Sequence, residues 1–456
     1  IKGTHDWFIN IGAVSDTVVE PRSFPIPVGV QTTERAGSID VFGKNSSLVV
    51  AQTFILSASL IKGSTAYKPP VYEFRVALAP QFNYVDVPER RVLRVQPSAA
   101  SHRKDGFIGV QELFLDYHLR NVSDRYDFDS LRVGIQPFSS DFRGFLFNDD
   151  QLGIRLFGNR DNNRWQYNLA AFWRIEKDSN SGLNDLTQPL RHDQVFLASV
   201  FRQDLPVPGL TSQLIAVHNR NREADEIYVD KNGFPQRPAL IGDLRGRDYD
   251  VTYLGYNADG HWGRVNLTAS AYYAFGKDRN SVWTKNPYDN TEHGFDAILE
   301  NPQFAGSDTS YWIRQTIPFA GGGRVIGING RNGVLNSLRA SKDEGQSNFN
   351  NPGTTLYGLG ADFDVLPELR LSTNLNHLGF VNTSVLQVAR MEGTIPKSIG
   401  WDASVSAIYR PKMTQNIVFR LSGAVLDPGA GFKDLFTNAQ RRDRYYSVLA
   451  NLILNY

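Results

Sequence analysis

The sequence predicts an all-β protein: a transmembrane antiparallel β-barrel of 18 strands, with 16 as the alternative count, short periplasmic turns and long extracellular loops. Three observations predict it. Apolar and polar residues alternate with a period of two along nearly the whole chain, short and long links take turns between the alternating segments, and the final segment ends on an aromatic residue.

Composition sets the frame. No uninterrupted apolar stretch approaches the roughly 18 residues a membrane helix requires, and mean hydropathy is -0.34. A helical membrane protein is excluded. Aromatic residues make up 12% of the chain, with Phe 28 and Tyr 19 against Met 2, so the apolar content rests on strand-favouring types. Cysteine is absent, which removes disulfides, thiolate metal sites and thiol nucleophiles. The formal net charge is +1 and no basic run stands out, so nucleic acid is not an expected partner. The opening IKGTHDWFIN lacks the basic-then-apolar layout of a signal peptide, as expected of a processed chain.

Successive side chains of a strand point to opposite faces, so a strand between lipid and water flickers between apolar and polar. Tyr72, Phe74, Val76, Leu78, Phe82 and Tyr84 share one parity, and Glu73, Arg75, Gln81 and Asn83 the other. Trp165, Tyr167, Leu169, Ala171 and Trp173 alternate with Gln166, Asn168, Ala170, Phe172 and Arg174. The pattern returns at 265–275, 369–376, 401–410 and 417–425. Each segment has about 10 residues, enough to cross a bilayer at a tilt.

Counted back from the end, strands are expected to begin near 443, 415, 400, 369, 355, 324, 310, 263, 249, 211, 193, 164, 151, 131, 107, 72 and 47, with residues 1–46 as a first strand or an extension and 47–456 as the barrel. Short links are expected at 158–164, 204–210, 257–263, 365–368 and 410–415, and longer polar ones between them, including 177–192, 222–248, 277–310 and 331–354. That alternation is the topology of outer-membrane barrels, with the short side periplasmic. A soluble sandwich of this length would divide into domains, and a propeller would repeat its blades. Neither signature is present.

At the end of the chain Tyr446, Val448, Ala450, Leu452, Leu454 and Tyr456 occupy every second position. This segment resembles the C-terminal signal of outer-membrane proteins. Together with the strand pattern it makes the chain similar in architecture to bacterial porins and exporters, including the alginate exporter and the barrel of porin-cytochrome conduits. The resemblance implies the outer membrane, contact with its lipid and lipopolysaccharide, and recognition of Tyr446, Val448, Leu452, Leu454 and Tyr456 by the barrel assembly machinery. It also leaves room for a periplasmic or lumenal protein partner such as a multihaem cytochrome. The functions open at this point are a pore for small polar or anionic solutes, a sheath around such a partner, and a surface platform for adhesion or assembly.

Inward parity collects Arg75, Arg120, Arg132, Arg155, Arg174, Arg202, Arg264, Arg370, Arg410 and Arg420 with Glu73, Glu112, Asp116, Glu176, Asp362, Asp364 and Asp402. Charge on the lipid face costs about 2 to 4 kcal/mol at the midplane, so these residues predict a water-filled lumen. The Arg excess predicts mild anion preference; ion pairs that cancel are the competing reading. DSNSGLND sets Asp178, Asn180, Asn184 and Asp185 around Gly182, an oxygen-rich turn that Ca2+ could occupy with its roughly 6 to 8 ligands. A solvated hairpin tip is the alternative, because the late bidentate Glu of an EF-hand is missing. The amide- and charge-rich 331–353 is expected either to narrow the lumen or to face a partner outside. Asp116 and His118 lie two apart on a strand, a pairing too common to carry a catalytic triad, and no enzyme is expected. No other cofactor is expected.

Overall fold

Alternation becomes a single antiparallel sheet. The computed structural model describes residues 6–23, 46–63, 69–88, 90–91, 93–142, 146–237, 247–263, 265–278, 290–294, 354–380, 383, 387, 392–434 and 443–456. Its strands are β1 (Trp7–Arg22), β2 (Ser47–Lys62), β3 (Tyr72–Asp86), β4 (His102–Asn121), β5 (Phe128–Ser139), β6 (Asn148–Arg160), β7 (Trp165–Trp173), β8 (Asp193–Gln203) and β9 (Leu210–Glu223). They continue with β10 (Tyr228–Val229), β11 (Pro235–Arg237), β12 (Arg247–Trp262), β13 (Val265–Asp278), β14 (Asn290–Gly294), β15 (Thr354–Leu366), β16 (Leu369–Phe380), β17 (Ser398–Tyr409), β18 (Ile417–Pro428) and β19 (Tyr445–Asn455). One helical turn, α1 (Ala430–Lys433), precedes β19. Among the described residues no helix is long and apolar enough to cross a membrane.

Seventeen of these strands form the sheet, and β10 pairs only with β11. Each strand from β1 to β9 pairs with the next, β9 continues to β12 and on through β13 to β14, β15 to β19 pair in order, and β19 returns to β1. The seam joins the two ends of the chain: Val14 lies opposite Asn455 and Arg22 opposite Ser447. The sheet is open between β14 and β15, where 295–353 and the strand starts expected near 310 and 324 lie outside the described residues. β14 and β15 point the same way, each an odd number of antiparallel steps from β1. An antiparallel cylinder places an odd number of strands between two such neighbours, which suits 18. The alternative of 16 is overturned, because 17 strands are already described.

Links segregate by length. One rim carries the links 63–71, 122–127, 161–164, 204–209, 263–264, 367–368 and 410–416, together with both ends of the described chain. The opposite rim carries 87–101, 140–147, 174–192, 224–246, 381–397 and 429–444. The short link expected at 257–263 is corrected: β12 runs on to Trp262, which pairs with Val265 of β13, and Gly263 follows at φ 60°. In the turn 161–164, Asp161, Asn162 and Asn163 are all left-handed (φ 54°, 53° and 63°), which Asp and Asn tolerate better than other side chains. The Asp127 carboxylate of the neighbouring turn accepts the amides of Asn162 and Asn163, each at 3.2 Å, and so ties two turns together.

Candidate functional site: the inner wall and its loops

Burial is inverted relative to a soluble protein. Leu214 is 66% exposed, Phe82 59% and Leu421 59%, whereas Gln213, Asn257 and Asp402 are 0% exposed. A buried polar residue or a broad exposed apolar surface is the informative departure from the usual pattern. Each large side chain left in water forfeits about 1.5 to 3 kcal/mol, so the outward apolar residues belong to lipid and the polar parity to the lumen.

Register fixes which charged residues share the inner face of the sheet. Asp116, Arg132, Arg155 and Ala170 are opposite one another in successive strands. Arg132 binds Asp116 at 2.7 Å and stacks over Phe114, and Arg155 donates to Asn168 at 2.9 Å while lying over Phe157. Arg75 pairs with Glu112, one strand over. Arg370 forks onto Asp364 at 2.7 and 3.0 Å. Arg410 and Arg420 share the inward parity of β17 and β18 and make no ion pair with a described residue; Asp402, higher on the same wall, accepts from Asn376 at 3.2 Å.

Two assignments are corrected. A one-residue bulge at Leu119 makes His118 face Ser130 and Arg120 face Asp129. Asp129 continues through Gly158 and Tyr167 to the outward Val200, so Arg120 stands on the outer face at the short-turn rim, where it binds Asp129 at 2.8 Å. Arg202 lies opposite Trp165 and stacks on its ring at 5.0 Å, on the same outer rim. Arg264 and the 331–353 segment lie outside the described residues.

Two long links fold inward. The 140–147 link, described at 140–142 and 146–147, places Leu146 and Phe147 against Phe138 and Phe172 on an apolar stretch of the inner wall that includes Val195, Val217 and Tyr253. Ser140 accepts from the Gln213 amide at 2.6 Å. The 174–192 link crosses to β4 and β6: Asn184 donates to the carbonyls of Val110 at 2.9 Å and Asp150 at 2.8 Å, and Asn180 donates to Asp105 at 2.7 Å. Gly109 makes the approach possible, since a Cβ there would lie 2.6 Å from the Cβ of Leu183.

Charge holds this link in place. At its root Arg191 forks onto Glu223 at 2.9 and 2.8 Å and reaches Asp193 at 3.6 Å, while Arg174 meets Asp193 at 3.2 Å. Burial opposes the charge on Arg191, but Glu223 and Asp193 outweigh it and raise its pKa well above normal. Lys177 binds Asp149 and the Asn184 carbonyl, both at 2.6 Å. From the 224–246 link, Lys231 binds Asp105 at 2.5 Å and Asp178 at 2.6 Å. Burial again opposes the ammonium, and the two carboxylates raise its pKa in spite of it.

The oxygens of DSNSGLND therefore face the protein's own donors. Asp178 accepts from Ser181 and Lys231, Asn184 from Lys177, and Asp185 from Thr187 at 2.6 Å. The loop is not a solvated tip: Asp178, Asn180, Asn184 and Asp185 are all buried. Among the described residues no group of three His, Cys, Asp or Glu side chains is arranged to hold a metal. Asp116 and His118 do not meet; His118 Nε2 contacts Asn121 at 2.9 Å.

Sequence reasoning missed Arg191, Lys177 and Lys231 because they sit in links. The available signal was the clustering of both signs at Glu176, Lys177, Asp178, Arg191 and Asp193, denser than a loop in water needs. Tyr446 and Val448 face outward on β19, and Tyr456 exchanges backbone hydrogen bonds with Ala13 across the seam at 2.7 and 3.1 Å.

No family model and no curated protein matches the chain. Among solved structures it is similar to outer-membrane porins of Pseudomonas. OprB of Pseudomonas putida at high pH has a TM-score of 0.44 and 11% identity, covering 99% of this chain and 94% of that one. OccK7 of Pseudomonas aeruginosa has a TM-score of 0.43 and 11% identity, covering 98% of each chain. OccK9 of the same organism has a TM-score of 0.44 and 9% identity, again over 98% of each.

Proposed function

We propose that the chain is an outer-membrane channel that passes small polar solutes and favours anions. The carrying observation is the inverted burial: an apolar outer face around an inner wall of Gln, Asn, Ser and paired charges. Anion preference is supported by Arg155, Arg410 and Arg420, which make no ion pair with a described residue, because a low-dielectric wall focuses the field of fixed charges on the solute path. The inward 140–147 and 174–192 links occupy interior space that a lumenal protein would need, which favours a solute channel over a sheath.

Planar bilayers test the proposal. Stepwise conductance is expected, with a reversal potential in a salt gradient on the anion side that moves toward zero in Arg410→Gln/Arg420→Gln. A folded protein that inserts and stays silent would refute the channel. The terminal strand is proposed as the assembly signal, and removal of Tyr456 is expected to lower insertion.

A further inference from the structure

Three of the long links meet over the inner wall, and the tip of the β10–β11 hairpin joins them. The tip, Asp230 to Phe234, is a unit in itself: the Asp230 carboxylate accepts the amides of Asn232 at 2.9 Å and Phe234 at 2.8 Å, and Gly233 turns the chain at φ 86°. The hairpin leaves the sheet at the end of β9 and its tip comes down on β4, five strands away.

The seat is the inward column of β4 at Arg103, Asp105 and Phe107, with the 174–192 link already lying across it. Lys231 stands between Asp105 of the wall at 2.5 Å and Asp178 of that link at 2.6 Å, its ammonium 5.5 Å from the centre of the Phe107 ring. Beside it the Asn232 amide donates to Asn180 at 2.7 Å and to Ser179 at 3.4 Å. The Asn232 carbonyl accepts the Val95 amide of the 87–101 link at 3.0 Å.

These contacts are polar or cation-aromatic, and water can take each one over when the tip lifts. Phe234 is the one large apolar side chain the tip carries. The 174–192 link keeps its own ties to Asp105 and Val110, so the hairpin can leave without it. Lys231 decides the balance. Its side chain is 38% exposed, so water reaches both bonds and the latch is a weak one. Once the ammonium withdraws, Asp105 and Asp178 face each other no farther apart than its two bonds together, with Asp230, Arg103 and Arg94 as the other charges close by.

We infer that the hairpin is a lid over the lumen at the rim of long links, shut while Lys231 bridges wall and link and open when that bridge breaks. Its effect on passage rests on the channel reading; its motion rests on the seat alone.

The chain has no cysteine, so an introduced thiol reports without background. Ser179, 8% exposed against the tip, is changed to Cys, and its labelling by a water-soluble maleimide is timed in folded, detergent-purified protein whose heat-modifiable migration is normal. Labelling is expected to be slow and to quicken about fivefold when Lys231→Met is added; equal rates would overturn the lid. A second variant, Val95→Cys/Gly233→Cys, uses a Cβ at Gly233 that would lie 3.4 Å from the Cβ of Val95, near the roughly 3.5 to 4.5 Å a disulfide needs. In planar bilayers the oxidised form is expected to hold one low conductance level, and the same protein after reduction to step between that level and a higher one. Matching oxidised and reduced currents would also overturn the lid, and comparing one protein with itself cancels the strain a Cys meets at a left-handed position. Silence of both forms with the labelling difference intact would end the channel reading and support the lid, which keeps the two failures apart.

Discussion

Along β4 to β9 the inner wall is covered by chain, and its charges are closed away; along β16 to β18, near the short-turn rim, comparable charges stand open. Arg191 and Glu223 are each 1% exposed, whereas Arg370 and Asp364 are 45% and 66% exposed. Both are forked Arg-carboxylate pairs of similar length, yet they do different work. In the covered region a charge has no water to fall back on, so its partner decides whether the link stays seated. On the open wall water screens the pair, which is worth about 0.2 to 1 kcal/mol, and under the proposed channel function the charge would act chiefly on passing ions.

The largest expected effect follows from breaking the covered side. Arg191→Ala leaves Glu223 and Asp193 buried without their cation and is expected to cost about 3 to 5 kcal/mol. It should lower the temperature at which the protein loses its fast-migrating folded form on gels, and raise single-channel conductance as the 174–192 link leaves the wall. Gly109→Leu offers a route to the same end that leaves every charge in place. Overpacking against Leu183 is expected to cost about 1 to 3 kcal/mol with a similar rise in conductance. Unchanged conductance in both variants would show that this link does not narrow the path.

The same contrast explains what was legible in the sequence. Strands were, because lipid and water impose opposite demands on alternate residues, and β2, β3, β8 and β16 begin where the alternation does. The inner wall was legible where only one face is apolar. In β8, Val195 and Leu197 face the aromatic cluster inside while Phe196 and Val200 face lipid, so both parities read as apolar and Arg202 was assigned to the wrong face. At Leu119 the failure is a bulge, one inserted residue that no periodicity announces. The 174–192 link was legible as polar but not as buried, because its partners Asp105, Val110 and Asp149 are remote in sequence.

A smaller effect belongs to the short-turn rim. The Asp127 carboxyl is partly desolvated, which works against its charge, but hydrogen bonds from Ser123 and the amides of Asn162 and Asn163 outweigh burial and hold its pKa below the ordinary 3.8. A depressed folded-state value means a contribution fully present above that ordinary value and lost as pH falls through the folded one. Asp127→Asn is expected to cost about 1 kcal/mol at pH 7. The gap in thermal midpoint between wild type and variant should close in strong acid; a gap independent of pH would remove the carboxylate from the account.

The smallest expected effect discriminates most finely, because Arg120 and Arg132 stand on the same two paired strands yet face different solvents. Arg132 is turned inward onto Asp116, with its side chain 19% exposed, and Arg120 outward onto Asp129, with its side chain 70% exposed. Arg120→Ala is expected to change stability by no more than about 1 kcal/mol and to leave the reversal potential where it was. Arg132→Ala should move that potential, since it removes a fixed charge from the path and frees the Asp116 carboxylate beside it. A shift of equal size in both variants would mean that the bulge at Leu119 does not turn the strand, and that Arg120 lines the water after all.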